Sequence, residues 1–274
     1  MNLYVTDLDG TLLNSKEEIS HESINIINEL IEKGLNFSIA TARSIYSAKE
    51  IIKPLNLQYP IILNNGAFIY DVNNKTNLVA NFLTEDCLRE VINTINEYNM
   101  SPLLFHIKMD GSNSIYYKGI FREGEKRFVE WRLAKGDKRF KEVNEFPEDI
   151  YSGIANMVIS GLHEELEESY EVLKKRVDIS IHFYYDIYIK LYNLEITNIM
   201  GTKRKALEFL KGYLKVDKLH CFGDNMNDAS MFELADYSYA VANSNQELKK
   251  MATKIIGTNE ENGVANFLKG LKAY

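Results

Sequence analysis

The sequence has few of the residues that build disulfide frameworks or zinc sites. Among its 274 residues there are two cysteines, Cys87 and Cys221, which stand far apart. The five histidines form no HxH or HExxH pattern, and no CxxC pair is present. These absences exclude a disulfide scaffold and the usual spacings of zinc ligands. They fit a protein of a reducing compartment.

Long apolar runs and an excess of positive charge are also absent. No run reaches membrane-spanning length, and the start, MNLYVTDLDG, lacks the basic and apolar regions of a signal peptide. We therefore expect a cytoplasmic protein without a membrane partner. The formal net charge is −7, so a broad nucleic-acid-binding face is not expected. An anionic substrate would need a local cation or a bound metal.

Up to about residue 83, short apolar runs alternate with amphipathic segments. LYVTD (3–7) and FSIAT (37–41) have the composition of buried strands, and the segment between them has a helical period with Ser20 as its N-cap. Alternating strands and helices predict a parallel sheet with right-handed crossovers. The same alternation returns near the end of the chain.

The middle of the chain has α+β patterning instead. It includes a predicted hairpin that turns at Asp110-Gly111. The sequence therefore predicts an α/β fold with a Rossmann-like parallel-sheet core, residues 1–83 and 191–274, and an inserted α+β cap domain, residues 84–190. In the last part, Thr202 is the expected N-cap of a helix, and a capping box is expected at SNQE (244–247).

Polar side chains follow several strands of the predicted parallel sheet. In such sheets ligands bind beyond the carboxyl ends of the strands. The residues at these ends are Asp7 and Asp9 with Gly10-Thr11, then Thr41-Ala42-Arg43, Asn64-Asn65-Gly66, and GDNMND at 223–228, with Lys203 at the start of the preceding helix. Carboxylates packed this closely would raise one another's pKa unless a cation lay among them. Oxygen ligands favour Mg²⁺, which together with a lysine would offset a bound phosphate.

With these motifs in order, the chain resembles the haloacid dehalogenase superfamily, in its Cof-like branch with a C2B-type cap (HAD-IIB). The matching segments are DLDGTLL (7–13), ATAR (40–43), the segment around Lys203, and GDNMND (223–228). NNGA at 64–67 and NGVANFL at 262–268 also match. The resemblance covers nearly the whole chain. It implies a Mg²⁺-dependent phosphatase that acts on a small phosphorylated metabolite, with sugar phosphates as the expected class.

The resemblance also implies a role for each matching residue. Asp7 would be the nucleophile that becomes an aspartyl phosphate, and Asp9 would serve as acid and then as base. The implied metal ligands are Asp7, the main-chain carbonyl of Asp9, and Asp224, with Asp228 as support. The implied phosphate-binding residues are Thr41, the main chain at Ala42, Lys203 and Asn227. Because cap residues would set specificity, the sequence names neither the sugar nor the pathway.

Three positions depart from the family pattern. Ala42 stands where glycine is common, Arg204 where a small residue is common, and Asn198 where proline is common. Because the spacing after Asn198 is unusual, Lys205 is a second, weaker candidate for the motif lysine beside Lys203. None of these changes removes a catalytic group.

Other interpretations of the same residues stay open. The Asp7–Asp9 pair could end a strand in a solvated turn, Thr41 could cap the next helix, and Arg43 is more typical of a structural residue. Alternative functions are a phosphosugar mutase and a non-catalytic, metabolite-binding module of the same superfamily. A response-regulator receiver is disfavoured by the large insert, and EF-hand and P-loop patterns are absent. The expected assembly is a monomer or a weak homodimer.

Overall fold

A computed structural model describes residues 1–108, 112–119, 123–134, 136–186 and 190–271. The chain divides into two compact units. The core unit consists of Met1–Ala80 and Gly201–Tyr274, and the cap unit consists of Asn81–Met200.

Strands and helices alternate along the described residues. The strands are β1 (Asn2–Thr6), β2 (Phe37–Ile39), β3 (Ile61–Leu63), β4 (Phe68–Asp71), β5 (Thr76–Ala80), β6 (Leu103–Ile107), β7 (Asn113–Tyr117), β8 (Phe140–Glu142), β9 (Ile154–Gly161), β10 (Ile179–Asp186), β11 (Leu191–Asn198), β12 (Lys218–Gly223), β13 (Tyr237–Val241) and β14 (Lys254–Ile256). The helices are α1 (His21–Glu32), α2 (Ile45–Ile52), α3 (Glu85–Glu97), α4 (Glu123–Ala134), α5 (His163–Leu173), α6 (Lys203–Tyr213), α7 (Ala229–Leu234), α8 (Gln246–Met251) and α9 (Gly263–Lys269). Short 3₁₀ turns cover Glu148–Tyr151, Met226–Asp228 and Asn259–Glu261.

The core unit contains a parallel sheet with the strand order β14-β13-β12-β1-β2. Strand β1 lies between β12 and β2 and is buried on both faces. Leu3 and Val5 belong to an apolar cluster with Leu207 of α6, whereas Tyr4 stacks on His220, with ring centroids 4.3 Å apart. Burial on both faces explains why β1 is apolar without alternation.

A second, antiparallel sheet in the core unit has the order β3-β4-β5. A parallel bridge between Ala40 and Ile62 connects it to the end of β2. The sequence predicted β3 but not the β4–β5 hairpin. In its turn, the carboxylate of Asp71 accepts hydrogen bonds from the main-chain N–H groups of Asn73 and Asn74, at 2.9 and 3.0 Å.

The cap unit contains a sheet with the strand order β10-β11-β9-β6-β7-β8, antiparallel except for the β7–β8 pair. Helices α3 and α5 pack on one face, where Val91 and Leu166 join Met157 and Leu194 in an apolar cluster. The cap unit is therefore an α+β sandwich with its own core. The strands of the predicted β6–β7 hairpin pair as expected, but its turn at Asp110-Gly111 lies outside the described residues.

The boundaries of the units differ from the residues expected from the sequence. The chain crosses between units at 80/81 and 200/201, rather than at 83/84 and 190/191. The second difference is the larger, because β11 pairs with β10 and β9 and so belongs to the cap sheet. An alternating strand pattern does not reveal which sheet its partners belong to.

The helix starts agree with the sequence except at α8. Ser20 and Thr202 cap α1 and α6 as expected. The predicted capping box at 244–247 is wrong by one residue, because Asn245 is the N-cap, and Ser244 donates instead to Val241. No described helix is long and apolar enough to cross a membrane.

Candidate active site

Two of the predicted acidic residues lie side by side at the edge of the parallel sheet. Asp7 directly follows β1 and Asp224 directly follows β12, and these strands are parallel neighbours in register. The main-chain N–H of Asp7 donates to the carbonyl of Phe222 at 3.0 Å, so the pairing continues beyond the strand. The topology alone thus brings these two carboxylates together.

Lys203 is the lysine of this site. Its Nζ lies 2.9 Å from Oδ1 of Asp7 and 2.6 Å from Oδ1 of Asp228. The lysine side chain is 1% exposed, and those of the two aspartates are 6% and 0% exposed. Lys205 instead pairs with Glu208 at the surface. Of these two lysines, it is therefore Lys203 that contacts the aspartates, and its catalytic role stays a prediction.

The start of α6 fixes the position of Lys203. The hydroxyl of Thr202 accepts a hydrogen bond from the N–H of Lys205 and caps the helix. Gly66 forms a bridge with Thr202, and its φ is +111°. A Cβ at Gly66 would lie 2.1 Å from the carbonyl of Thr202. Glycine is therefore required where the Asn-Asn-Gly turn meets the residue before Lys203.

Three carboxylates form one compact group. Oxygen atoms of Asp7, Asp224 and Asp228 lie within 4.8 Å of one another. Asp228 also fixes the loop that follows β12. Its Oδ2 accepts hydrogen bonds from the N–H groups of Asp224 and Asn225, at 3.0 and 3.3 Å. Asp228 therefore binds both the lysine and the loop, and its carboxylate orients Asp224 through the main chain.

The turn after β1 approaches Asp224 closely. The hydroxyl of Thr11 donates to Oδ1 of Asp224 at 3.1 Å. Gly10 has a φ of +73°, and a Cβ there would lie 2.4 Å from Oδ2 of Asp224. Gly10 thus permits the turn, and Thr11 orients the carboxylate of Asp224.

The ionisation of these groups reflects their burial. Burial raises the pKa of Asp7 to about 8, with a further contribution from Asp228, while Lys203 acts against the rise. Burial and the charge of Asp228 raise the pKa of Asp224 to about 6. Burial alone lowers the pKa of Lys203, but Asp228 and Asp7 outweigh it and hold that pKa above its ordinary value. One lysine thus leaves the negative charge of the group uncompensated.

The donor set of this group fits a divalent cation. Carboxylate oxygens are the ligands that hard divalent cations prefer. Burial and then mutual repulsion raise the pKa of Asp7 and of Asp224, and a cation among Asp7, Asp224 and Asp228 would act against both effects. The residues present are therefore suited to hold such an ion.

Asp9 is placed differently from the other predicted acids. Both of its carboxylate oxygens accept hydrogen bonds from Arg43, Oδ2 from Nε at 2.8 Å and Oδ1 from Nη2 at 2.5 Å. Its side chain is 50% exposed and does not belong to the compact group of three. Arg43, which the sequence predicts to be structural rather than substrate-binding, contacts the predicted acid/base directly. The role predicted for the main-chain carbonyl of Asp9 stays a prediction.

The residues predicted to bind phosphate lie around the same edge. Thr41 is fully buried, and its hydroxyl accepts a hydrogen bond from the N–H of Arg43 at 3.1 Å. Ala42 is exposed directly after Thr41. Asn227 lies in the 3₁₀ turn Met226–Asp228 and is half-buried. Their binding of phosphate stays a prediction.

Sequence reasoning missed two polar residues of this region. Thr11 contacts Asp224, and the Nδ2 of Asn243 donates to the carbonyl of Gly10 at 2.7 Å. Thr11 could have been found, because it belongs to the DLDGT segment. Asn243 could have been considered, because it lies two residues after the end of the parallel strand β13.

Comparisons with known proteins agree with this arrangement. A family model described as haloacid dehalogenase-like hydrolase matches residues 4–268. Phosphatase YwpJ of Bacillus subtilis (strain 168) is 25% identical over 293 residues, covering 99% of this chain and 100% of that protein. The 5-amino-6-(5-phospho-D-ribitylamino)uracil phosphatase YwtE of the same organism is 27% identical, covering 98% and 97%. The crystal structure of a haloacid dehalogenase-like hydrolase from Bacteroides thetaiotaomicron aligns with a TM-score of 0.79 at 25% identity, covering 98% of both chains.

The chain belongs to the haloacid dehalogenase-like hydrolase family. The fold predicted from the sequence, a parallel-sheet core with an inserted α+β cap, is confirmed. The predicted enzyme class is also confirmed, because named phosphatases match over almost the whole chain. The protein is a phosphatase of this family.

Proposed function

We propose that the protein hydrolyses small phosphorylated metabolites, sugar phosphates foremost, with Mg²⁺ and through an aspartyl-phosphate intermediate. The observation that carries this proposal is the buried ammonium of Lys203 between Asp7 and Asp228, beside Asp224. With Asp7 as the nucleophile, this cluster would keep fixed positive charge beside an anionic carboxylate, at the edge of a parallel sheet where ligands bind. A surface ion pair of merely structural origin would not need this burial.

In the first step, a carboxylate oxygen of Asp7 attacks phosphorus, and the bond from phosphorus to the ester oxygen breaks. Asp9 gives its proton to the departing oxygen, which leaves as an alcohol. Lys203 offsets the charge of the phosphoryl oxygens, and the hydroxyl of Thr41 and the N–H at Ala42 hydrogen-bond to them. Asp228 keeps Lys203 in place.

In the second step, water attacks phosphorus of the aspartyl phosphate. Asp9, now ionised, takes the proton of this water, and the bond from phosphorus to the Asp7 oxygen breaks. Inorganic phosphate leaves, and Asp7 is again a carboxylate. Because Asp9 receives one proton for the one it gave, the enzyme returns to its starting state.

The residues that would hold Mg²⁺ are Asp7, Asp224 and the main-chain carbonyl of Asp9, with Asp228 in support. When bound, the ion would offset the charges of the carboxylates and of the phosphate, so that an anionic nucleophile could approach phosphorus. Mg²⁺ rather than a softer metal is favoured because every proposed ligand atom is oxygen.

The proposed substrate class rests on chemistry and on the relatives. YwtE is named for a compound that carries a phosphate on a ribityl chain. The net charge of −7 disfavours nucleic acid and other large polyanions as substrates. The proposed substrate is therefore a small phosphate ester with an alcohol leaving group, such as a sugar phosphate.

The test is phosphate release from a panel of sugar phosphates and other small esters, with Mg²⁺ and with EDTA. Wild type is expected to release phosphate only with Mg²⁺, and Asp7→Asn is expected to be inactive. Asp71→Asn is a matched control, because Asp71 ends β4, accepts hydrogen bonds within the hairpin turn, and does not belong to the group of Asp7, Asp224 and Asp228. Wild type without metal-dependent release would contradict the proposal. An isomeric sugar phosphate in place of free phosphate would indicate the mutase alternative.

A further inference from the structure

Arg43 connects the predicted acid/base residue to a second acidic residue. Its Nε and Nη2 each donate to one carboxylate oxygen of Asp9. Nη2 also donates to Oε2 of Glu17, at 2.7 Å. A two-point contact between a guanidinium and a carboxylate fixes the plane of the carboxylate as well as its position. The Asp9 side chain is therefore held in one orientation although half of it is exposed.

The main chain of Arg43 is fixed by two loops of the same sheet edge. Its N–H donates to the hydroxyl of Thr41, and its carbonyl accepts from the N–H of Asn64 at 3.0 Å. Asn64 and Asn65 both have positive φ, +49° and +54°. Asparagine is among the few side-chain residues that adopt this conformation readily. The Asn-Asn-Gly turn therefore supports Arg43 on one side and, through Gly66, the start of α6 on the other.

The position of Glu17 is fixed as well. Glu17 has a φ of +60°, a conformation that is unfavourable for a glutamate. The side chain of Asn14 accepts from the N–H groups of Lys16 and Glu18, at 2.9 and 3.1 Å, and so holds the turn. Glu17 thus binds Arg43 from a turn whose shape is set independently of that contact.

Stability alone gives little reason for this arrangement. The side chains of Asp9 and Glu17 are 50% and 71% exposed. Ion pairs at such exposure add little to folding free energy. A strained backbone and a two-point contact around the residue with the acid/base role are instead typical of a functional constraint.

We propose that Arg43, braced by Glu17, is a positioning residue that orients Asp9 for proton transfer to the leaving group. This inference rests on the proposed function, because it assumes that Asp9 is the acid/base. An acid that is poorly oriented transfers protons more slowly, although substrate binding is unchanged. The loss should appear in the first step, and therefore in kcat/KM for a substrate whose leaving group needs that proton.

The test compares two leaving groups in wild type and in Arg43→Met. Glucose 6-phosphate releases an alkoxide that needs a proton, whereas p-nitrophenyl phosphate releases a stable anion that does not. Arg43→Met is expected to lower kcat/KM for glucose 6-phosphate by about 10–100-fold and that for p-nitrophenyl phosphate by less than about 3-fold. This ratio reports the first step, whereas kcat also includes the second step, in which Asp9 acts as base for both substrates. A loss of fold or of metal binding would lower both rates alike.

Three further variants sharpen the comparison. The compared quantity is kcat/KM for glucose 6-phosphate divided by kcat/KM for p-nitrophenyl phosphate. Arg43→Lys keeps the charge but cannot make the two-point contact, so it should restore this ratio only part of the way from its Arg43→Met value to the wild-type value. Glu17→Gln should shift this ratio in the same direction as Arg43→Met does, but by less. Arg89→Met is the matched control, because Arg89 also pairs with two carboxylates, Glu85 and Glu148, in the cap unit. It should leave the ratio unchanged.

The outcomes separate this inference from the proposed function. Equal losses of kcat/KM on both substrates in Arg43→Met, or no loss at all, would overturn the positioning role while wild-type activity still supported the phosphatase. A wild type inactive with Mg²⁺ on both substrates and on the whole panel of small esters would overturn the proposed function and this inference with it. A selective loss on glucose 6-phosphate supports both.

Discussion

The ammonium of Lys203 and the carboxylate of Asp7 lie 2.9 Å apart, both almost fully removed from solvent, although 195 residues separate them in the sequence. They come from the start of α6 and the end of β1. A single lysine thus provides fixed positive charge beside the proposed nucleophile, and it shares that charge with Asp228.

Replacing this lysine is expected to remove activity. Lys203→Met leaves Asp7 and Asp228 buried without their cation and removes the charge that offsets phosphate. We expect kcat to fall by at least about 10²-fold in a phosphate-release assay. Lys205→Met is the matched control two residues further along α6, because Lys205 pairs only with Glu208 at the surface. A similar loss in both variants would contradict the assignment of Lys203.

Gly10 provides a test of the turn after β1. Gly10→Ala would place a Cβ 2.4 Å from Asp224 Oδ2 in a strained backbone, so Asp224 must move. We expect weaker Mg²⁺ activation, with a higher Mg²⁺ concentration needed for half-maximal activity. Gly34→Ala is the control, since Gly34 also has a positive φ, +100°, but a Cβ there would meet nothing within 4 Å. It should lose about 1 kcal/mol of stability and no Mg²⁺ activation. Equal Mg²⁺ requirements in wild type and Gly10→Ala would contradict this explanation.

Metal binding should also be visible without catalysis. If Asp7, Asp224 and Asp228 hold Mg²⁺ in the folded state, adding the ion increases the free energy of unfolding. At an ion concentration of 100 times the dissociation constant, the increase is about 2.7 kcal/mol, and the thermal midpoint rises with it. Asp224→Asn should lose most of this increase, and Asp71→Asn should keep it. The measurement is a thermal melt with Mg²⁺ and with EDTA. The same increase in all three proteins would place the ion elsewhere.

Asp137, in the cap unit, should make the free energy of unfolding depend on pH. Burial raises its pKa, but hydrogen bonds from Arg139 and Arg132 outweigh this and hold the pKa at about 2, below the usual 3.8. A lowered folded-state pKa stabilises the protein above pH 3.8, and this contribution is lost as the pH falls towards 2.

Asp137→Asn should therefore lower the free energy of unfolding by about 1–2 kcal/mol at pH 7, with a smaller difference from wild type near pH 3. Urea unfolding between pH 3 and pH 7 checks this prediction. Glu167→Gln, an exposed change on α5, should show no such trend. A difference for Asp137→Asn that stays constant with pH would rule out the ion pairs as its source.

The parts of the site that follow from strand order could be predicted from the sequence. Asp7 and Asp224 follow parallel strands, so their proximity is a consequence of topology. The choice between Lys203 and Lys205 could not be made from spacing. These lysines are two residues apart on a helix and so point to different faces, and only the capped start at Thr202 decides which one is buried.

Other features depend on contacts that local sequence does not encode. The Arg43–Asp9 pair requires the left-handed turn at Asn64-Asn65, which hydrogen-bonds to Arg43 across two loops. The membership of β11 in the cap sheet depends on its partners β9 and β10, whereas its own alternating pattern would suit either sheet.

The most direct test of the central claim is a search for phosphorylated Asp7 during turnover. Wild type mixed with substrate and Mg²⁺ is quenched in acid and treated with borohydride, which reduces an aspartyl phosphate to homoserine, and the tryptic peptides are analysed by mass spectrometry. The proposed route predicts homoserine at position 7 in wild type and none without substrate. Phosphate release with no modification at Asp7, or with modification at another aspartate, would contradict it.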